Sequence, residues 1–495
     1  MSGRNGPVVC RRGFISSAVG AAAYAAMPSW AGNIAVPGYY SKYLDSVAGK
    51  IALRRVPADM AFRDGDRILF LGDSITPTDG YPQFVCNYYL TRFPQRDVSF
   101  ECAGVSGDGT RWCDWRLGED VISRKPTVVS VMFGMNDVMH HSAVWEKGQP
   151  KETQDAFRTN VISKFATHFD HLAQRLRGEL PEVGLLLMTP TPYDAVSTRP
   201  QSTSNNHAGV NAALADVSGY VRRNGGRFGG RVIDIHEPMK AFLEHARERF
   251  VLIESDRVHP NDAGHLFVAW KFLEQQNAPS VVSDVEIDYS SARMTRAQNA
   301  DVSNVRILPD GRLSFAVLEG ALPMPIPPNL EKFAHDAGLC ESLNREIVSI
   351  KNLPEGQWTL FIDGEKAMTA SAEAFAKGVN LSCADTPQHR QAEAVRAANA
   401  RRFGELDYVL GRCRLARWAL NRRTEVNPDD LAAVQAYRDG LPESQRRRWP
   451  WFALDPYLKK WARRKEIMSE IERRHGEIRK MSRPVQHAYE LRRTN

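Results

Sequence analysis

Long apolar stretches, metal-binding motifs and close cysteine pairs are all missing from this sequence of 495 residues. No run approaches the roughly 20 apolar residues that a membrane-spanning helix needs, so we expect no transmembrane segment. None of the 13 histidines lies in an HExxH motif or a comparable ligand cluster, and the seven cysteines form no CxxC pair. We therefore expect neither a metal site nor any other cofactor, and the sequence alone assigns no disulfide.

Acidic residues are scarce in the C-terminal part of the chain. The whole sequence has a net charge of +7, but by our count the residues after 386 carry about 25 basic and about 14 acidic side chains. The remainder is therefore slightly acidic, which disfavours nucleic acid as a partner. Two basic runs, Arg446-Arg447-Arg448-Trp449 and Arg463-Arg464-Lys465, could contact phosphate-rich surfaces. Solvated helix faces with interspersed Glu are the commoner explanation for such runs.

The N-terminus has the pattern of an export signal. Arg11 and Arg12 precede a weakly apolar stretch, residues 14–27, that is rich in Ala and Gly. The small residues around Ala31 follow in the manner of a cleavage site. Twin arginines before such a stretch are typical of a Tat signal, so we expect residues 1–31 to be a signal peptide, 32–62 a lead-in segment, and the protein to be periplasmic or secreted. The alternative is a basic N-terminus followed by an Ala-rich helix.

Strand and helix patterns alternate between residues 63 and 280. Strands are predicted at Arg67–Leu71, Val98–Cys102, Pro126–Phe133, Gly184–Met188 and Arg231–Ile235, and helices at Tyr81–Phe93, Gln154–Arg177, Asn206–Asn224 and Ala263–Gln276. This alternation predicts an α/β domain with a parallel sheet and helices on both of its faces. Sites in such domains form beyond the carboxyl ends of the strands, where the turns that carry Ser74, Gly104 and Asn136 are expected to converge.

The pattern changes after residue 280. Short strands separated by turn signals predict a small, antiparallel, β-rich module over residues 281–385. This module could bind carbohydrate or cover one side of the first domain, and the lack of a ligand motif favours the structural role. Residues 386–495 are predicted to form a basic helical tail, with long helices at Gln388–Leu420 and Tyr457–Met481.

One serine stands where chemistry is expected. The strand that begins at Arg67 runs into Gly72-Asp73-Ser74, which places Ser74 at a turn. A serine there could be only a helix N-cap, but a nucleophilic serine needs a base and the base needs an orienting carboxylate. Asp256 and His259 are three residues apart and could supply both groups within one turn of backbone.

Four short blocks together resemble the signature of the SGNH (GDSL-type) hydrolases. They are Gly72-Asp73-Ser74, Gly104 within Ala103-Gly104-Val105-Ser106-Gly107-Asp108, Gly134-Met135-Asn136-Asp137, and Asp256-x-x-His259, in the order that the family uses. The resemblance covers about residues 63–280 and implies a flavodoxin-like, three-layer domain that hydrolyses esters through an acyl-serine. A G-x-S-x-G elbow is absent, which disfavours the α/β-hydrolase alternative.

The resemblance also implies roles for individual residues. Ser74 would be the nucleophile, His259 its general base and then acid, and Asp256 the orienting carboxylate. The oxyanion hole would consist of the backbone N–H groups of Ser74 and Gly104 and the side-chain amide of Asn136. Many members of the family carry Asn two residues before the glycine, whereas this chain has Cys102, which raises a question about the geometry of that turn.

The substrate is less constrained than the reaction. Four aromatic residues on the predicted site-edge loops could stack on sugar rings, or could pack beneath those loops: Trp112, Trp115, Trp145 and Tyr193. With the export signal, they favour deacetylation of an extracytoplasmic glycan. The alternatives are a lysophospholipase or arylesterase acting on lipids or small esters, and a non-catalytic surface-binding protein on a hydrolase scaffold. The sequence does not predict an oligomeric state, and His140-His141 are interpreted as loop residues.

Overall fold

The computed structural model describes residues 62–77, 79–195, 207, 209–246 and 249–494. The predicted signal peptide and nearly all of the lead-in segment lie outside these residues, as does the predicted start of a helix at Asn206. Among the described helices, none is long and apolar enough to cross a membrane. Nor do three or more His, Cys, Asp or Glu side chains gather into a group that could hold a metal within the described ranges.

A five-stranded parallel sheet forms the first domain. Its strands are β1 (Arg67–Gly72), β2 (Ser99–Gly104), β3 (Val128–Met132), β4 (Gly184–Met188) and β5 (Arg231–Ile233), in the order β2-β1-β3-β4-β5. The near-continuous apolar run from Ile68 to Leu71 makes β1 an inner strand, because such a strand is buried on both of its faces. The predicted α/β class is confirmed.

Six α-helices flank this sheet. They are α1 (Tyr81–Arg92), α2 (Thr110–Asp120), α3 (Lys151–Glu179), α4 (Val210–Asn224), α5 (His236–Ala246) and α6 (Asp262–Gln275). Helix α1 packs against α6, whereas α3 packs against both α2 and α4. The sequence did not predict α2 and α5. Helix α2 is short and rich in charge, so its apolar spacing gives little signal of a helix.

Two further sheets follow the first domain. Their strands are β6 (Val281–Asp288), β7 (Arg293–Gln298), β8 (Ala300–Ile307), β9 (Leu313–Glu319), β10 (Arg345–Lys351), β11 (Gln357–Ile362), β12 (Glu365–Ser371), β13 (Val379–Asn380) and β14 (His487–Thr494). One sheet has the order β13-β10-β6-β7 and the other has the order β12-β11-β14-β9-β8. The prediction of a purely antiparallel module is wrong, because β6 and β10 pair in parallel.

The last strand of the chain lies inside the second of these sheets. Strand β14 pairs with β9 on one side and with β11 on the other. The region also contains the short helices α7 (Glu331–Ala337), α8 (Leu339–Leu343) and α9 (Ala372–Lys377). Because β14 completes this sheet, the end of the tail belongs structurally to the β region that precedes it.

The helical part of the tail contains α10 (Pro387–Arg402), α11 (Tyr408–Arg423), α12 (Leu431–Gly440), α13 (Glu443–Arg446), α14 (Leu454–Lys460) and α15 (Arg464–Met481). A π-helical turn, Phe403–Asp407, joins α10 to α11, so the long helix predicted at Gln388–Leu420 is two helices. The tail packs on the first domain, where α10 contacts α1 and α11 contacts both β2 and α2. Most of its arginines pair with nearby acidic groups, as in Arg473 between Glu470 and Glu477.

Candidate active site

Ser74 lies in a tight turn directly after the inner strand β1. The turn closes where the backbone N–H of Thr76 donates to the carbonyl of Asp73 at 3.1 Å, and the N–H of Ile75 donates to Asp73 Oδ1 at 2.8 Å. Helix α1 begins only at Tyr81, so the idea that Ser74 caps a helix is wrong. The serine side chain is half-buried and does not lie at the N-terminus of a helix.

A short segment before α6 brings a histidine to Ser74. The hydroxyl of Ser74 lies 2.7 Å from His259 Nε2, and the other imidazole nitrogen, Nδ1, lies 2.5 Å from Asp256 Oδ2. The second carboxylate oxygen, Oδ1, accepts the backbone N–H groups of Val258 at 2.9 Å and His259 at 3.0 Å. Arg257 between them has a φ of +71°, which bends the backbone into this turn. Asp256 therefore shapes the turn with one oxygen and orients the imidazole with the other.

The ionisation states of Asp256 and His259 allow His259 to act as a base. Burial raises the pKa of Asp256, but hydrogen bonds from the His259 side chain and backbone outweigh burial and lower that pKa to about 2. Burial lowers the pKa of His259, yet the hydrogen bond and the charge of Asp256 outweigh this effect, so the net shift is upward. Asp256 is thus ionised at neutral pH, and the imidazole is a stronger proton acceptor than a free histidine.

The glycine turn after β2 lies directly against the serine turn. A Cβ added at Gly104 would be 1.7 Å from the carbonyl oxygen of Thr76, so no larger residue fits without moving backbone. The N–H of Val105 donates to the carbonyl of Gly72 at 3.1 Å, which ties the two strand ends together. Cys102 donates its S–H to the same Thr76 oxygen at 3.2 Å. The cysteine therefore keeps a polar contact with the serine turn.

The turn after β3 brings an amide to the same place. Asn136 Nδ2 donates to the carbonyl of Asp108 at 2.8 Å and lies 3.4 Å from Asp73 Oδ2. An amide NH2 has two hydrogens, and here one is donated to the Asp108 carbonyl and the other to Asp73 Oδ2. Asp73 is fully buried, and burial raises its pKa to about 7. The three turns after β1, β2 and β3 thus meet at one edge of the sheet, as their strand order predicts.

Comparison with known proteins identifies this domain. Residues 70–266 match the profile of the GDSL-like lipase/acylhydrolase family. Residues 70–266 therefore form a domain of the GDSL-like type. The acetylxylan esterase of Geobacillus stearothermophilus is 25% identical over 237 residues, which are 44% of this chain and 96% of that protein. The solved structure of a gut microbial diltiazem-metabolizing enzyme is 26% identical, covers 88% of this chain and 98% of its own, and has a TM-score of 0.78. The predicted family and the class of carboxylic ester hydrolase are confirmed.

Two of the aromatic residues predicted to bind substrate are buried in the GDSL domain. Trp145 is 2% exposed, donates its Nε1–H to the carbonyl of Val138 at 3.1 Å and packs against Phe157. Tyr193 is also 2% exposed, and its backbone N–H donates to Asn211 Oδ1 at 2.9 Å. Both rings therefore pack beneath the loops, which is the second of the two alternatives that the sequence left open for them.

The other two predicted aromatic residues lie on α2 and not on a loop of the GDSL domain. Trp115 is 54% exposed. Trp112 is half-buried beneath the guanidinium of Arg422, whose central carbon lies 3.6 Å from the ring centroid. His140 donates its Nδ1–H to the carbonyl oxygen of Met135 at 3.3 Å, and burial lowers the pKa of His140 to about 4. His140 therefore stays neutral at physiological pH.

The sequence analysis missed residues of the tail that reach the GDSL site. Trp418 donates its Nε1–H to Asp108 Oδ1 at 3.1 Å, and Arg422 donates to the carbonyl of Gly107 at 3.3 Å. Trp449, 41% exposed, lies so close to Gly107 that a Cβ there would be 2.8 Å from its ring. Its run of arginines was noted only as a charged surface. No signal along the sequence connects residues 418–449 with a turn more than 300 positions earlier.

Proposed function

We propose that this ester hydrolase deacetylates an extracytoplasmic glycan through an acyl-serine intermediate. Ser74 is assigned as the nucleophile, His259 as general base and acid, and Asp256 as the orienting carboxylate. The observation that carries this assignment is the unbroken chain from Asp256 Oδ2 through the imidazole to Ser74 Oγ, with distances of 2.5 Å and 2.7 Å. A neutral serine hydroxyl needs such a base to attack an ester.

The reaction follows from this geometry in two halves. Ser74 Oγ bonds to the acetyl carbon while His259 Nε2 takes the hydroxyl proton. The carbonyl oxygen becomes an oxyanion, for which the N–H groups of Ser74 and Gly104 and the side-chain amide of Asn136 are the assigned donors. The amide would exchange its 3.4 Å contact with Asp73 Oδ2 for the oxyanion. When the intermediate collapses, the C–O bond to the sugar breaks and the imidazolium gives its proton to the sugar oxygen. Water, activated by His259, then attacks the acyl-serine and releases acetate.

Three observations support an acetylated glycan as the substrate. The curated relative with 25% identity over 96% of its own length is an acetylxylan esterase. Trp115 on α2 is 54% exposed and Trp449 beside Gly107 is 41% exposed, and exposed indoles suit the faces of sugar rings. The twin arginines, Arg11 and Arg12, support export to a compartment where glycans are found.

An activity profile tests both the chemistry and the substrate. We expect turnover of p-nitrophenyl acetate and of acetylated xylo-oligosaccharide, with kcat/KM falling as the acyl chain is lengthened from acetyl to octanoyl. Ser74→Ala should abolish both activities without changing the circular dichroism spectrum. Ser123→Ala is the matched control, because this exposed hydroxyl donates only to the carbonyl of Glu119 among the described contacts. A preference for octanoyl esters would contradict the proposed substrate, and activity in Ser74→Ala would contradict the assigned nucleophile.

A further inference from the structure

Helix α11 of the tail contacts the loop that follows Gly104. This loop, residues 105–109, is called the β2–α2 loop. Trp418 Nε1 donates to Asp108 Oδ1 at 3.1 Å, and Arg422 Nη1 donates to the carbonyl of Gly107 at 3.3 Å. These two contacts are one turn apart on α11, so a single helix face holds two consecutive residues of the loop.

The opposite side of the same loop holds Asn136. The carbonyl of Asp108 accepts from Asn136 Nδ2 at 2.8 Å, while the Asp108 carboxylate accepts from both Trp418 and Arg116. Asp108 is completely buried and Trp418 is 3% exposed, so water does not compete for these hydrogen bonds. One residue of the loop therefore connects a side chain of the tail to the amide assigned to the oxyanion hole.

The rings of the tail also fix the shape of the loop. Gly107 has a φ of +80°, and a Cβ at this position would be 2.8 Å from the Trp449 ring and 3.3 Å from the Trp418 ring. The two indole rings lie 5.8 Å apart, with the guanidinium carbon of Arg423 at 4.7 Å from the Trp449 centroid. The loop thus lies against a preformed aromatic surface that leaves it little room to move.

We propose that Trp418 is a positioning residue, which sets the place of the Asn136 amide in the oxyanion hole through Asp108. The tail is then a functional part of the active site and not only a cover for the edge strand β2. This inference rests on the oxyanion role assigned to Asn136 under the proposed function. A displacement of about 1 Å at such a donor is enough to cost about 100-fold in rate, so loss of one supporting hydrogen bond has a measurable effect.

Trp418→Phe tests the proposal, because it removes the Nε1–H donor and keeps a ring in the same space. We expect kcat for p-nitrophenyl acetate to fall about tenfold, the loss typical of one hydrogen bond to a charged group, with KM within about twofold of the wild type. Trp461→Phe is the matched control. It makes the same change in the same buried cluster of the tail, and among the described contacts its indole makes no hydrogen bond to the β2–α2 loop.

A double-mutant cycle with Asn136→Ala separates positioning from general destabilisation. If Trp418 acts through Asn136, Trp418→Phe should cost less than about twofold in the Asn136→Ala background. A loss that persists in full in that background, or an equal loss in Trp461→Phe, would overturn the proposal. Arg422→Ala removes the neighbouring contact from a half-buried position and should show the same non-additivity, which keeps the test valid even where Trp418→Phe folds poorly.

The same data distinguish failure of this inference from failure of the proposed function. Full activity of Ser74→Ala, or of Asn136→Ala alone, would refute the assigned active site and the inference with it. Normal activity of Trp418→Phe, when Asn136→Ala is impaired, would refute only the role of the tail.

Discussion

Asp256→Asn separates the two tasks that the structure gives this carboxylate. Oδ1 accepts the backbone N–H groups of Val258 and His259, at 2.9 Å and 3.0 Å, and asparagine keeps an oxygen there. Oδ2 accepts from His259 Nδ1 at 2.5 Å, and asparagine puts an NH2 donor at this place. The turn should therefore survive, while the imidazole is driven to the tautomer in which Nε2 carries the hydrogen and cannot take the proton of Ser74.

The expected fall in kcat follows from the loss of His259 Nε2 as a proton acceptor. The same exchange in a Ser-His-Asp triad costs about 10⁴-fold in kcat, which corresponds to about 5.5 kcal/mol of transition-state stabilisation. We expect a loss of that order for p-nitrophenyl acetate at pH 8, measured by release of p-nitrophenolate. The midpoint of thermal unfolding should stay close to that of the wild type.

Asp256→Ala is the control that separates folding from catalysis. It removes the acceptor of both backbone N–H groups, and a buried unsatisfied donor costs about 1–3 kcal/mol. We expect this variant to lose stability as well as activity. Asp256→Asn with more than about a tenth of the wild-type kcat would refute the orienting role of Asp256.

Three further predictions concern the charges, the glycine turn and the last strand. His259 must be neutral to act as a base, and its pKa is raised above the usual 6.5, so kcat/KM should rise with pH with a midpoint above 6.5. Asp73→Asn should move that midpoint to lower pH, because it removes a charge that raises the pKa of His259. An unmoved midpoint in the pH profile of this variant would contradict the electrostatic link. Gly104→Ala should lower the free energy of unfolding by about 1–3 kcal/mol and abolish esterase activity, because its Cβ would be 1.7 Å from the Thr76 oxygen. Gly178→Ala is the matched control for denaturant titration, since no atom lies within 4 Å of the added Cβ, and it should be neutral or stabilising. Deletion of residues 487–494 should unfold the β region, since β14 pairs with strands on both sides; unchanged amide-exchange protection of β9 and β11 would show that this strand is dispensable.

The parts of the fold with strong local signals were predictable from the sequence. The apolar run of β1 ends at Gly72 within one residue of the predicted end, and β4 has the predicted bounds. The spacing of Asp256 and His259 also sufficed to predict their contact, because three residues fit one turn of backbone. Four motifs in family order were enough to predict that the serine, glycine and asparagine turns lie together.

The features that depend on distant partners were not predictable. In β14, buried His487, Tyr489 and Leu491 alternate with more exposed neighbours, but the strand follows a long charged helix and its partners lie far back in the chain. From the sequence, Trp145 and Trp115 were equally good candidates for substrate binding, because both were predicted to lie on loops at the edge of the site. Only tertiary packing decides that the first is buried and the second is exposed.

The contact of Trp418 with Asp108 has the same origin. Its two residues are 310 positions apart, and although Asp108 ends the second family block, Trp418 lies outside all four blocks. The residues assigned to the reaction could therefore be named from the sequence, whereas the contact that holds the turn of Asp108 could not.

Labelling with a fluorophosphonate tests the central claim most directly. The probe bonds covalently to a serine that a neighbouring base has activated, so peptide mass spectrometry should place about one label per chain on Ser74. Ser74→Ala should take up no label, and Asp256→Asn should be labelled far more slowly than the wild type. A label on another serine, or equal labelling of the wild type and Ser74→Ala, would contradict the assignment of Ser74 as the nucleophile.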